Sequence, residues 1–93
     1  MKYKMTLSKF WENKNKAKMC IHCNEEIKAK MLLNAFDYLG QKWSDFKSYT
    51  SITHWEVYKE LTCYSNDNGY CNLYFAERYN YKIYEFEEVD LKN

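Results

Sequence analysis

Between positions 25 and 39, apolar residues recur at helical spacing, and Gly40 stands directly after them. Ile27, Met31, Leu32, Ala35, Phe36 and Leu39 carry the repeat, which predicts a helix over 25–39 with those six side chains against a core. Asn24 stands where an N-cap would accept from the free amides of the first turn. Glu25 and Glu26 complement the positive helix end, and Gly40 suits the left-handed residue that ends many helices. Lys28 and Lys30 fall toward the polar side. A helix with one apolar stripe needs a second layer to bury it, so the flanking segments decide the fold.

Those flanks read mostly as strands. Thr6 can cap a short helix whose apolar face is Leu7, Phe10 and Trp11. Residues 13–16 form a polar connection, and 18–23 read as a short strand. Alternation sends Met19, Ile21 and Cys23 one way and Cys20 and His22 the other. A strand is expected to begin at Lys42 and Trp43, and residues 45–53 carry no clear pattern. Trp55 and Tyr58 suit a short helical turn or a loop. Residues 61–64 and 70–75 read as two strands of a hairpin around the turn signal Ser65-Asn66-Asp67-Asn68-Gly69. A last strand is expected over 81–89, with a tail from Asp90. The expected fold class is α+β: one main helix on a mostly antiparallel sheet of about four strands, with a short N-terminal helix. With 93 residues and no linker or repeat, positions 1–93 are expected to form a single domain.

A chain of this size buries roughly 60–65% of the surface it exposes unfolded. The core is therefore modest, yet aromatics make up 19% of the chain, with ten tyrosines among them. Some rings are expected at the surface, where tyrosine gives contact area at low entropic cost. Net charge is only +1, so no overall field draws the chain to nucleic acid. The charge is nonetheless uneven: residues 1–48 carry +5 and residues 49–93 carry −4. Proline is absent, while lysine, asparagine, tyrosine and isoleucine, all with AT-rich codons, abound; this points to a low-GC genome. No membrane-spanning run is present. Met1-Lys2-Tyr3-Lys4 lacks the apolar stretch of a secretory signal, so a cytoplasmic location with reduced thiols is expected.

The residues with chemical potential form no catalytic pattern. Cys20 and Cys23, with Cys63, Cys71, His22 and His54, invite a zinc reading. A strand aims positions three apart in opposite directions, and no glycine helps the backbone turn there, so no metal and no other cofactor is expected. Cys23 precedes a helix, as a redox cysteine does, but Cys20 falls too early to pair with it in that role. Glu77, Glu85, Glu87 and Glu88 supply carboxylates without a facing partner, and no glycine-rich phosphate loop occurs. An enzyme is not expected. Lys14, Lys16, Lys18, Lys28, Lys30, Lys42 and Lys47, near Trp11, Trp43 and Phe46, form a basic-aromatic pattern suited to nucleic acid. Arginine, the main reader of bases, occurs only at Arg78.

Several segments resemble a family of small proteins from phages and mobile elements of low-GC bacteria. They are Ile21-His22-Cys23-Asn24-Glu25-Glu26, the helix end Tyr38-Leu39-Gly40, and Lys42-Trp43. The likeness continues through Trp55-Glu56-Val57-Tyr58-Lys59-Glu60-Leu61-Thr62-Cys63-Tyr64 and ends in Tyr81-Lys82-Ile83-Tyr84-Glu85-Phe86-Glu87. It spans roughly residues 7 to 89 and includes no catalytic group. Such genes often encode inhibitors of bacterial immunity, anti-CRISPR proteins included.

The resemblance implies a non-enzymatic, phage-encoded inhibitor that occludes a host defence protein or ribonucleoprotein complex, such as a CRISPR effector, in the host cytoplasm. The residues expected to touch the partner are Trp43, Phe46, Tyr49, His54, Trp55, Tyr58, Tyr64, Tyr70, Tyr74 and Tyr79, whose clustering around the turn-rich middle suggests one face. Two alternatives stand beside it: a small nucleic-acid-binding protein using the lysine-rich N-terminal half, and a sponge for a nucleotide signal.

Overall fold

The computed structural model describes residues 3–92. The chain opens with a two-residue strand β1 (Met5–Thr6) and a short helix α1 (Leu7–Glu12). The Thr6 side chain caps α1 by accepting from the Lys9 amide at 3.2 Å, as its sequence position foretells. Strand β2 (Met19–His22) and the main helix α2 (Glu26–Tyr38) follow. A one-turn helix α3 (Trp55–Tyr58) and a 3-10 turn (Lys59–Leu61) lead into the hairpin of β3 (Thr62–Ser65) and β4 (Tyr70–Asn72). Helix α4 (Leu73–Arg78), strand β5 (Lys82–Glu85), a 3-10 turn (Phe86–Glu88) and strand β6 (Val89–Asp90) complete it.

The main sheet has the order β4-β3-β2-β5, antiparallel except where β2 meets β5. The fold is α+β, as the element order implies. Register assigns its two faces. Ile21, Tyr64 and Cys23 point to the side that packs with α1 and α2, together with Phe10, Leu32, Phe36, Trp43 and Tyr49. Cys20, Cys63 and Cys71 point to the other side, which Ala76 of α4 covers with Leu73, Tyr81 and Ile83. The small pair of β1 and β6 runs parallel and ties the two ends of the chain together.

Four local expectations are corrected. Residues 70–75 are not one strand, because the Asn72 side chain accepts from the Phe75 amide at 2.8 Å and starts a helix there. Lys42 and Trp43 begin no strand; a single bridge joins Lys42 to Ser48 around a tight loop. The N-cap of α2 is the extended Glu25, and Asn24 instead accepts from the Lys28 ammonium at 2.8 Å. Residues 81–89 break into strand, turn and strand, the turn being held by the Glu85 and Glu88 capping box. At the other end of α2, Gly40 behaves as expected. Its φ is +79°, its amide bonds the Asp37 carbonyl, and the Gln41 amide bonds that of Phe36. That is a Schellman ending, which only glycine adopts without strain.

The phase of α2 is the largest correction. Ala29, Leu32, Leu33 and Phe36 are the buried residues, spaced i, i+3, i+4, i+7. Ile27, Met31 and Leu39, expected in the core, are exposed, while Ala35 is partly buried against it. At about 3.6 residues per turn, Ile27, Met31 and Tyr38 lie on the opposite side of the helix from the core stripe. Two apolar stripes compete for one core, and the buried one carries the more apolar set in Leu32, Leu33 and Phe36. The correction is testable in denaturant melts. Phe36→Ala should cost about 3–5 kcal/mol and Met31→Ala within about 0.5 kcal/mol. Equal losses for the two would place Met31 back in the core.

Candidate functional site

The ten aromatic positions read as a binding face divide three ways. Trp43, Tyr49, Trp55 and Tyr64 are buried, so they are core rather than contact residues. The reason is volume: few aliphatic residues are available, so large rings fill the space over the sheet. The polar atoms of Trp43, Tyr49 and Tyr64 find partners inside. Trp43 Nε1 donates to the Ile52 carbonyl at 2.9 Å, and the Tyr64 hydroxyl donates to the Thr53 carbonyl at 2.8 Å. The Tyr49 hydroxyl accepts from Asn68 Nδ2 at 3.4 Å. His54, Tyr58 and Tyr70 are half-buried at the edge of this cluster. His54 stacks flat on Tyr70 at 4.4 Å and meets Trp43 edge-on at 4.8 Å. Phe46, Tyr74 and Tyr79 are exposed but apart: Phe46 tips the loop after Trp43, whereas Tyr74 and Tyr79 sit on and just after α4. The single face expected from sequence is therefore not assembled by these ten residues.

The turn at 65–69 does more than reverse the chain. Asn66 Nδ2 donates to the carbonyls of Phe10 at 3.2 Å and Ala17 at 2.9 Å, and its Oδ1 accepts from the Met19 amide. Asn68 Nδ2 donates to the Lys42 carbonyl at 2.6 Å, and Lys14 bonds its Oδ1. These side chains fix the N-terminal connection and the 41–49 loop to the hairpin. The lysines of the basic-aromatic pattern are correspondingly dispersed. Lys14 is tied to Asn68, Lys28 pairs with Glu87 and Glu25, and Lys18 lies over the Tyr81 ring at 5.7 Å.

An extended apolar surface lies on the outer side of α2. Tyr38 is 91% exposed, Ile27 62% and Met31 48%. Beside this stripe runs a depression between α2 and the 86–92 segment. One part, about 510 Å³, is lined by Tyr3, Met31, Phe86, Val89 and Leu91. The next, about 490 Å³, is lined by Ala35, Tyr38, Leu39 and Leu91. Leu91 and Lys92 border both, so the two form one groove along the helix. Its wall is braced by the Lys28–Glu87 ion pair. The sequence held the signal, since Ile27, Met31 and Tyr38 repeat at helical spacing apart from Ala29, Leu32, Leu33 and Phe36. It did not say which of the two stripes a layer covers.

The other sheet face carries the polar and sulfur groups. His22 Nδ1 lies 2.8 Å from Glu85 Oε1, and Nε2 lies 2.7 Å from the Glu60 carbonyl. Each ring nitrogen thus faces an oxygen at hydrogen-bond distance. Neither nitrogen is left free to act on a substrate. Cys20 and Cys23 face opposite sides of the sheet, as alternation requires, and all four cysteines are buried free thiols. Among the described residues, no group of three or more His, Cys, Asp or Glu is placed to hold a metal ion. No described helix is long and apolar enough to cross a membrane.

The chain matches no family model, no curated protein and no solved structure.

Burial of Tyr49 and Tyr64 has a measurable consequence. Desolvation pushes both hydroxyls well above the usual phenol value, outweighing the Asn68 bond that favours ionised Tyr49. The folded chain then keeps protons that the unfolded chain releases above about pH 10. This part of the stability is fully present below that value and falls as pH rises beyond it. Burial also pushes the Cys20, Cys23 and Cys63 thiols up, so denaturant melts should weaken from about pH 8.5, where the unfolded thiols ionise, and further beyond about pH 10, with late phenolate absorbance accompanying unfolding. Ionisation of all ten tyrosines near pH 10 without that further loss of stability would mean that these rings are solvated.

Proposed function

We propose that this chain is a non-enzymatic protein-binding module whose contact surface is the outer stripe of α2 and the groove beside it. The observation that carries this reading is the exposed line of Ile27, Met31 and Tyr38, opposite the buried face of the same helix. A helix apolar on two sides is normally covered on both. Contiguous exposed apolar surface on a small chain marks a place where another macromolecule sits. Tyr38 and Met31 suit that use: one offers a ring with a polar end, the other an adaptable thioether. The groove gives a partner's apolar side chains a recess, with Lys92 at its rim.

The partner class comes from the family resemblance. A rigid scaffold that seats on a host defence complex, such as a CRISPR effector, inhibits it by occupying a surface and requires no chemistry of its own. The engagement of both His22 ring nitrogens by Glu85 and the Glu60 carbonyl is consistent with that economy.

The test is plaquing by a phage that a host's CRISPR system targets, on a panel of hosts expressing the chain or carrying empty vector. Wild type should restore plaquing on at least one host. Met31→Glu, with an unchanged melting curve, should return plaquing to the empty-vector level, because a buried anchor of this kind carries about 2 kcal/mol or more of binding. Equal rescue by wild type and Met31→Glu would move the contact surface elsewhere. Rescue by neither, on every host, would remove CRISPR effectors as the target.

A further inference from the structure

Three of the four cysteines meet on the sheet face that α4 covers. Cys63 and Cys71 are direct partners across the β3–β4 hairpin, and Cys20 lies on β2, on the far side of β3. The Ser65 amide bonds the Gly69 carbonyl at 3.1 Å, which sets the hydrogen-bonding phase of the hairpin. Two residues further along, Cys63 and Cys71 form the next hydrogen-bonded pair, a position with Cα atoms about 5.5 Å apart. That Cα spacing is within the range a disulfide spans, and the Cβ atoms, about 5.5 Å apart at a hydrogen-bonded position, must close by about 1 Å to bridge. Cys20 and Cys71 are two strands apart, roughly 9–10 Å, beyond the reach of a bridge. Cys20 and Cys63 are diagonal neighbours at about 7–8 Å, at its outer limit. Cys23 points to the opposite face.

Access also separates the three thiols. Cys20 and Cys63 are fully buried, whereas Cys71 is 8% exposed on the edge strand β4. Hydrogen bonds from the Cys20 and Cys63 thiols favour the Cys71 thiolate, against the opposing effect of burial. The same bonds, with burial, push the Cys20 thiol far up. Cys71 is therefore the most accessible of the three and the one whose thiolate its neighbours favour.

We infer that Cys71 and Cys63 form a peroxide-sensitive dithiol, Cys71 being the sulfur that reacts first and Cys63 the one that resolves it into a cross-strand disulfide. The steps balance with a hydroperoxide as the oxidant. The Cys71 thiolate attacks the peroxide oxygen, the O–O bond breaks, and Cys71 becomes a sulfenic acid while hydroxide leaves and takes up the proton Cys71 had released. The Cys63 thiol then attacks Cys71 sulfur and displaces water. Two electrons pass from the two sulfurs to the peroxide, which ends as two molecules of water.

Hydrogen peroxide applied to the folded, full-length chain tests this, read by intact mass, thiol count after denaturation, and peptide mapping. The wild-type chain should lose about 2 Da, drop from four thiols to two, and map to a Cys63–Cys71 bridge that a dithiol reductant reverses. Cys63→Ser should instead add one oxygen at Cys71, trapped by a sulfenic-acid reagent, without the 2 Da loss. Cys23→Ser should behave as wild type. Survival of all four thiols in the folded chain, at a dose that oxidises the unfolded chain, would overturn the inference. So would a bridge that maps to Cys20 or Cys23. The wild-type mapping decides the matter even if a serine variant fails to fold.

Discussion

Strand β2 is the constraint on which the rest of the structure depends. It is hydrogen-bonded to β3 on one side and to β5 on the other, and its residues are buried on both faces. A strand in that position needs a layer above and a layer below, yet the described residues form only one long helix. The first face takes α2 and α1, with a dense set of aromatic rings. The second face takes the six-residue α4 and small side chains, which is why cysteine and alanine occupy it. A short helix cannot cover a bulky face. Small buried thiols suit the space, and their crowding follows from packing before any chemistry is considered.

Covering β2 on both faces leaves nothing for the outside of α2. Its second apolar stripe stays open, and the C-terminal segment runs alongside without crossing it, which creates the groove. Structural demand and the available surface are thus linked. Trp43, Tyr49, Trp55 and Tyr64 are drawn inward to fill the core, while Ile27, Met31 and Tyr38 on α2 stay exposed. Asn66 and Asn68 make this arrangement stiff, since each anchors a separate connection to the hairpin turn. A rigid scaffold loses little entropy when a partner seats on it.

Local signals in the sequence were legible where one physical rule acts alone. The end of α2 at Gly40, the cap at Thr6, the hairpin turn at 65–69 and the alternation in β2 all follow from near-neighbour chemistry. Positions governed by competition were not. Ile27 and Met31 are as apolar as Leu32 and Leu33, so periodicity locates the helix but not its rotation. Asn72 reads as a strand residue until its side chain is seen accepting from the Phe75 amide. The pairing of β1 with β6 joins opposite ends of the chain and leaves no local trace. Tyr49 and Tyr64 differ from exposed Tyr74 and Tyr79 in burial rather than in residue type, so composition could not sort core from contact surface.

The open outer face of α2 can be measured directly by methyl-resolved NMR of the isolated chain with a soluble paramagnetic probe. Methyl groups within reach of solvent broaden as the probe is added, and buried ones do not. Ile27 and Met31 should broaden strongly, while Leu32 and Leu33 stay sharp. The reverse pattern, or equal protection of both sets, would contradict an apolar stripe left open for a partner.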